Sequence, residues 1–314
     1  MLQSPLPGLY VAAGTLGAND VIKIAAFDLD WTIVRTVQGR FPKDANDWAF
    51  LPNRVSTLQS YRDTGYTLVL FANQGYKGAK LTTALARVNN ILEALAKEGI
   101  QPWTFAATLH DNYRKPGTGM WDLFQQYMAV YKKTIDKSES FYVGDAAGRP
   151  GDYDNNDILL AQNIGLTFFT PEQKFPRNQI QIPDTQTMFI FVGMPGSGKT
   201  TYYTQNLAPK GWVHVNQDIL KTQPKMLNAV RTALASGKSV AIDATNPSPN
   251  KRAQYIMIAA ELRIPTMILY FVDNGYERNQ LRQAKVPDIA YNVYFKNLVE
   301  PTYELDRVPV VQVS

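Results

Sequence analysis

The 314-residue chain contains no cysteine. That excludes disulfide frameworks, thiolate zinc sites, iron–sulfur clusters and cysteine nucleophiles. Its 2 histidines are too few for a multi-histidine metal centre and leave little room for imidazole acid–base chemistry. No apolar run approaches the roughly 18 residues that a membrane span needs. The N-terminal stretch Met1–Asp20 has no basic region ahead of an apolar core, so no signal peptide is read and no membrane partner is expected. Any catalysis must therefore rest on carboxylates, Lys, Arg and backbone amides. What is present is ordinary globular material: 45% hydrophobic and 19% charged residues, a balance that argues against disorder. The 32 Lys+Arg against 27 Asp+Glu leave a net charge of +5, compatible with a nucleic-acid partner without requiring one. The length predicts two domains with ordinary cores.

Both halves open on a short apolar strand that runs into a polar, turn-prone loop. The first strand is read at Val21–Phe27, before Asp28-Leu29-Asp30; its counterpart is Thr187–Val192, before a glycine-rich turn. Further strands are expected at 67–71, 104–107, 140–143, 166–169, 212–215, 239–242 and 266–271. Helical patterns fall between them, at 80–98, 120–132, 200–205, 225–235 and 249–262. This alternation predicts an α/β protein of two doubly wound, mainly parallel-sheet domains. They are expected at 1–170 and 187–314, joined by a Pro-, Gln- and Asn-rich linker at 171–186. Ligands of such sheets gather at the carboxyl ends of the strands.

In the second half, Gly193-Met194-Pro195-Gly196-Ser197-Gly198-Lys199-Thr200 satisfies G-x-x-x-x-G-K-[ST] between a strand and a helix. Glycines let backbone N–H groups turn onto phosphate oxygens, and the helix N-terminus adds positive potential. Lys199 would neutralise β/γ phosphates and the Thr200 hydroxyl would ligate Mg²⁺. Gly193, Pro195, Gly196, Ser197, Gly198, Lys199, Thr200 and Thr201 are therefore the expected ATP contacts. Asp218 closes the next strand, in His214-Val215-Asn216-Gln217-Asp218, where a carboxylate could accept a proton from an attacking hydroxyl. Asp243 and Asn246 close another; each Asp alone would equally serve as a helix N-cap. Arg278 and Arg282 stand at i, i+4 and are expected on one helix face, as a lid over the transferring phosphate.

In the first half, Asp28-Leu29-Asp30-Trp31-Thr32 places two carboxylates on one side of an extended segment. Asp28 could attack phosphorus to form an aspartyl-phosphate, with Asp30 protonating the leaving group and then activating water. Such a site needs a cation for the phosphate and an Mg²⁺ with an extra carboxylate. Arg114-Lys115-Pro116 and Gly144-Asp145 supply both, in that chain order.

Across residues 21–302 the chain resembles the metazoan-type polynucleotide kinase 3′-phosphatases. The resemblance is carried by FDLDWT (Phe27–Thr32), Asp47-Trp48, FANQ (Phe71–Gln74), YRKPGTGMW (Tyr113–Trp121) and FYVGDAAGRP (Phe141–Pro150). In the second half it is carried by VGMPGSGKTT (Val192–Thr201), VHVNQD (Val213–Asp218), AIDATNP (Ala241–Pro247) and Arg252. It implies a haloacid dehalogenase-type phosphatase domain followed by a P-loop kinase, with Mg²⁺ and ATP, acting on DNA or RNA strand-break ends. By the same resemblance Asp28 is the nucleophile, Asp30 the acid–base, and Lys115 with Arg114 the phosphate clamp. Asp145 is the metal ligand beside Asp28 and the Asp30 backbone, and Asp152 or Asp157 an outer carboxylate. Asp218 is the kinase base, Asp243 an acceptor-positioning residue and Arg282 the lid arginine beside Arg278. Thr32, Asn73, Asn246 and Lys221 complete the expected substrate contacts; Arg252 has no derived role. A nuclear repair setting follows from the resemblance alone. Only about twenty residues precede the first expected strand, so recruitment through an N-terminal phosphopeptide-binding domain is not expected. A monomer is.

Three departures bear on rate or substrate range. Trp31 stands where the family has Gly, and its indole would narrow the phosphatase mouth or stack on a terminal base. Ala72 replaces a Ser/Thr donor, with Asn73 and nearby amides expected to compensate. Lys221 stands where some relatives carry an Arg that reads acceptor phosphate. Two other readings fit parts of the pattern: a kinase whose phosphatase-like domain only binds 3′ ends, and a small-molecule phosphatase fused to a metabolite kinase.

Overall fold

The computed structural model describes residues 1–313. It divides into two compact units, Met1–Pro176 and a second beginning at Arg177. The first contains β1 (Gln3–Leu6), β2 (Leu9–Ala12), β3 (Val21–Phe27), β4 (Val34–Arg35), β5 (Ala49–Phe50), α1 (Arg54–Asp63), β6 (Tyr66–Asn73), α2 (Ala79–Lys97), β7 (Trp103–Ala107), α3 (Gly119–Val130), β8 (Thr134–Ile135), β9 (Phe141–Val143), α4 (Asn156–Ile164), β10 (Thr167–Phe169) and α5 (Pro171–Lys174). Its sheet runs β1-β2-β7-β6-β3-β9-β10, with β8 added beside β3. The strands from β7 to β10 are parallel, while β2 pairs antiparallel with both β1 and β7.

Period-two alternation divides this core. Along β6, Val69 and Phe71 face a cluster with Met120, Trp121 and Phe124 of α3 and Leu160 of α4. Leu68, Leu70 and Ala72 face the other side, with Leu58 of α1 and Val88, Ile91 and Leu95 of α2. Helices thus cover both faces, as a buried parallel sheet requires.

Two expectations need correction. The first strand is not at Val21: residues 3–12 already form the β1–β2 hairpin at one edge of the sheet. The interval 171–186 is not uniformly a linker. Its start is α5, and Phe175 is buried beside Phe27, ring centroids 5.8 Å apart; Thr170 and Gln173 form a capping box that starts this turn. Ile180 and Ile182 then pack on the second unit's core. Apolar burial, not the local Pro/Gln composition, decides the boundary.

The second unit contains β11 (Met188–Gly193), α6 (Lys199–Tyr202), β12 (Val213–Asn216), α7 (Gln217–Leu220), α8 (Gln223–Ala235), β13 (Val240–Asp243), α9 (Pro249–Glu261), β14 (Thr266–Phe271), α10 (Gly275–Gln280), α11 (Asp288–Asn297), α12 (Tyr303–Asp306) and β15 (Val310–Val313). Its five-stranded sheet is entirely parallel, in the order β12-β13-β11-β14-β15. The helix expected at 200–205 is α for one turn and then widens to a π-helical turn at Tyr203–Leu207. Tyr203 holds that turn: its ring stacks flat on His214 at 3.8 Å, and its hydroxyl donates to Trp212 O at 2.8 Å. Among the described residues no helix is long and apolar enough to cross a membrane.

Candidate active sites

β3 delivers Asp28 to the carboxyl edge of the first sheet, where Asp28 N donates to Val143 O of β9 at 2.9 Å. Lys115 lies in the loop after β7, and its Nζ donates to Asp28 Oδ1 at 2.5 Å, Asp157 Oδ1 at 2.7 Å and Tyr142 OH at 3.2 Å. All four side chains are buried. Burial is the largest influence on Asp28 and pushes its carboxyl up to about 7; Lys115 opposes the shift and Asp157 adds to it. Burial alone would lower Lys115, but Asp157 and Asp28 outweigh it and raise its value. A lysine held charged by two carboxylates is equipped to neutralise a phosphate.

Asp28, Asp145 and Asp157 bring carboxylate oxygens within 4.8 Å of one another, a hard-oxygen donor set suited to a divalent cation. Of the two expected outer carboxylates, Asp157 is the one that joins this cluster. Asp152 instead accepts Ala147 N and Arg149 N at 3.0 Å and shapes the loop after Asp145. Gly144 is required here: a Cβ on it would stand 2.3 Å from the Asp157 carboxyl carbon.

Three expected substrate or metal contacts are oriented otherwise. Thr32 is fully buried and its hydroxyl donates to Asp145 Oδ1 at 3.4 Å, so it steadies the metal-side carboxylate. The Asn73 amide is partly committed to the Lys115 backbone, accepting Lys115 N at 2.9 Å and donating one proton to Lys115 O at 3.2 Å. The Asp30 carboxylate turns from the cluster to Arg87 Nη1 at 2.7 Å and Gln74 Nε2 at 2.9 Å. Arg114 lies near Gly75, one residue after the Gln74 that meets Asp30. Its guanidinium lies against the Gly75 backbone, and its Nη1 is buried without a hydrogen-bond partner among the described residues. Trp31 is half-buried at φ +62°, a left-handed conformation natural to the family's glycine and strained for an indole-bearing residue.

In the second unit the glycine-rich turn links β11 to α6. Lys199 Nζ donates to Gly193 O at 2.9 Å, Met194 O at 2.7 Å and Ser197 Oγ at 3.3 Å. Burial pushes Lys199 down to about 8; the charge of Arg282 adds to this, while Asp243 and Asp218 oppose it. Gly193, Gly196 and Ser197 are buried in the turn, Pro195 is half-buried and Thr201 is exposed. Gly198, at φ +95°, makes room for Arg278: a Cβ there would meet Arg278 Nη1 at 2.5 Å. Arg278 also pairs with Asp273.

Asp243 ends β13 beside Thr200 rather than among acceptor contacts. Its Oδ2 receives Thr200 Oγ1 at 2.7 Å and lies 2.9 Å from both His214 Nε2 and Asn216 Nδ2. As a carboxylate that accepts the hydroxyl of the phosphate loop, it has the placement a Walker-B group would need. Burial would raise its value, but the His214 and Thr200 hydrogen bonds and the Lys199 charge hold it below the usual range. Asp218 is exposed in the first turn of α7, its N–H accepted by Asn216 Oδ1 at 2.8 Å; Lys221 caps the same helix, also exposed.

Asn246 turns inward rather than toward an open substrate face. It is buried and donates to Phe191 O at 2.8 Å, tying the loop to β11. Nor do Arg278 and Arg282 share a helix face, because α10 ends at Gln280. Asn279 breaks it by bonding Val286 O at 2.9 Å and Val286 N at 2.8 Å, and Arg282 lies exposed in the following turn. Arg252 now has a role. It is fully buried, grips Asp306 through Nε at 2.7 Å and Nη2 at 2.9 Å, and donates to Pro247 and Val299 carbonyls at 3.1 Å.

Sequence reading missed Arg87, His214 and, as a partner of Asp243, Asn216. Arg87 leaves a readable mark: it is the lone charge on the apolar stripe Ala84, Val88, Ile91, Leu95 of α2. His214 and Asn216 leave none outside the motif that contains them, because their alignment on Asp243 depends on β12 pairing with β13 in parallel register.

A buried aspartate–lysine cluster ending one sheet and a P-loop ending another define a two-part enzyme, a phosphatase followed by a kinase. The polynucleotide kinase 3 phosphatase family profile matches residues 23–175. A bifunctional polynucleotide phosphatase/kinase of Schizosaccharomyces pombe is 36% identical over 320 residues, covering 90% of this chain and 77% of that one. A polynucleotide 3′-phosphatase of Arabidopsis thaliana is 38% identical over 175 residues, 51% of this chain and 25% of its own. One from Saccharomyces cerevisiae is 27% identical over 49% of this chain and 87% of its own. The chain belongs to the bifunctional polynucleotide phosphatase/kinase family.

Proposed function

We propose that the chain heals nucleic-acid ends, hydrolysing 3′-phosphates in its first unit and phosphorylating 5′-hydroxyls from ATP in its second. The observation that carries this reading is the pairing, in one chain, of Lys115 on Asp28 with Thr200 on Asp243. Each joins a phosphate-binding cation or hydroxyl to a carboxylate at a strand end.

In the phosphatase, Asp28 attacks phosphorus while Lys115 and Arg114 hold the phosphoryl oxygens. Asp30 gives its proton to the departing 3′-oxygen and then takes one from the water that hydrolyses the aspartyl-phosphate. In the kinase, Lys199 and the loop amides hold the ATP phosphates, Asp218 accepts the 5′-hydroxyl proton and Arg278 with Arg282 faces the transferring charge. Asp28, Asp145 and Asp157 would hold one Mg²⁺, and Thr200 with Asp243 another. When bound, each ion would offset phosphate charge.

The test is one incubation with Mg²⁺, ATP and a nicked duplex bearing 3′-phosphate and 5′-hydroxyl ends, with products resolved by mass. The expected result is loss of phosphate at one end and gain at the other. A 3′-phosphate left untouched, on single strands as well, would reduce the first unit to an end-binding module. Release from small esters but not from oligonucleotides would remove the polynucleotide from the reading.

A further inference from the structure

We infer that Arg87 is the positioning residue for Asp30, and that it also joins Asp30 to the loop spanning residues 37–47. The inference rests on the phosphatase reading above. Arg87 is 0% exposed on the core-facing stripe of α2, where a guanidinium is costly unless an anion faces it. Among the described residues the one carboxylate within ion-pair distance is Asp30, whose Oδ1 lies 2.7 Å from Arg87 Nη1. The other oxygen, Oδ2, accepts Gln74 Nε2 at 2.9 Å, and Gln74 is itself buried. Two buried side chains, from α2 and from the residue after β6, therefore meet both oxygens of the acid–base carboxylate, Arg87 as an ion pair and Gln74 as a hydrogen bond.

The same guanidinium reaches the loop. Arg87 Nε donates to Asp47 O at 3.3 Å. The Asp47 carboxylate accepts Val37 N and Gln38 N at 2.8 Å each and Lys43 N at 2.9 Å. Asp47 thereby shapes the loop, and Arg87 anchors that shape to Asp30.

The chemistry gives this arrangement a purpose. As Asp28 Oδ bonds to phosphorus, the P–O3′ bond breaks and O3′ takes the proton of Asp30, leaving a carboxylate. Water then attacks phosphorus and passes a proton back to Asp30; the Asp28–phosphorus bond breaks and inorganic phosphate departs. After the first step Asp30 is an anion, and the Arg87 cation faces it. Arg87 touches neither substrate nor phosphorus; it acts by aiming Asp30 and stabilising the charge left there.

The test compares two substrates that differ in their need for a proton: a 3′-phosphorylated oligonucleotide, whose leaving group is an alkoxide, and p-nitrophenyl phosphate, whose phenolate departs unaided. The unsubstituted chain is measured on both, and turnover on neither would take down the phosphatase reading and this inference together. The readout is kcat/KM, which reports the steps up to aspartyl-phosphate formation. Arg87→Met is expected to lose on the order of 100-fold in kcat/KM on the oligonucleotide, the scale of general-acid catalysis, and less than about tenfold on p-nitrophenyl phosphate. Arg87→Lys, which keeps the charge but not the fork, is expected to fall between the two. ATP-dependent 5′-phosphorylation by the same preparations stays at the level of the unsubstituted chain. Equal loss on both substrates in the Lys variant, or full oligonucleotide turnover in the Met variant, would overturn the inference.

Discussion

Thr200 Oγ1 donates to Asp243 Oδ2 at 2.7 Å, joining the first turn of α6 to the end of the neighbouring strand β13. His214 and Asn216 meet the same oxygen at 2.9 Å. One buried carboxylate thus collects groups from the phosphate loop and from β12. Asp243→Asn keeps the shape and removes the charge, and is expected to lower kinase turnover about 100-fold while 3′-phosphate release is unchanged. Parallel assays on one preparation check this; loss of both activities would refute it.

Asp28 and Lys199 serve chemistries in separate sheets. Asp28→Asn should abolish 3′-phosphate release and spare 5′-phosphorylation, and Lys199→Ala should do the reverse. Loss of both activities in either variant would sink the two-site reading.

Asp28 also couples folding to pH. Burial raises its folded value from 3.8 to about 7. Between those values the folded chain binds more protons than the unfolded one, so the stability contribution is full below about pH 3.8 and is lost as pH rises through 7. The lowered values of Asp136, Glu172 and Asp243 act on the acid side, below about pH 4.5. Denaturant unfolding in a chelator is therefore expected to show stability falling from pH 5 to pH 8, with a flatter profile in Asp28→Asn. Identical slopes for the two chains would contradict the assignment.

Arg252 and Asp306 form a buried pair that closes the C-terminal segment on α9. Removing one partner strands a buried charge, at a cost of about 3–5 kcal/mol. Arg252→Met should lower the kinase unit's midpoint in a thermal melt, and adding Asp306→Leu should recover part of the loss. A double variant less stable than the single one would contradict this.

Trp31 holds a left-handed φ at a position where the family has glycine. Relief of that conformation is worth roughly 1–2 kcal/mol, offset by lost indole contacts and by the extra unfolded-state entropy of glycine, roughly 0.5–1 kcal/mol. Trp31→Gly is expected to shift unfolding by less than about 1 kcal/mol. A larger loss would mean that the indole packs as core.

Much of the architecture was legible in the chain. β3 and β14 begin and end where the apolar runs do, and α2, α3, α8 and α9 differ from their patterns by two residues at most, whereas α1, α4 and α11, nine or ten residues long, had no expected counterpart. Short elements without a full period escaped, as β4, β8 and α12 show: two to four residues carry no periodicity, and they form because neighbours supply their hydrogen bonds and burial.

The sites divide the same way. Sequence alone determined which chemical groups are available, because Asp28, Lys115, Lys199 and Thr200 lie in motifs whose short spacing sets local geometry: strand, turn, helix start. Tertiary structure decided what those groups face. It turned Asn73 onto Lys115, Thr32 onto Asp145, Asn246 onto Phe191 and Asp243 onto Thr200, and it brought Arg87 to Asp30 from a helix at the far side of a strand. A side chain's partner is set by packing and strand register across tens of residues, and a buried polar group takes whichever partner satisfies it there.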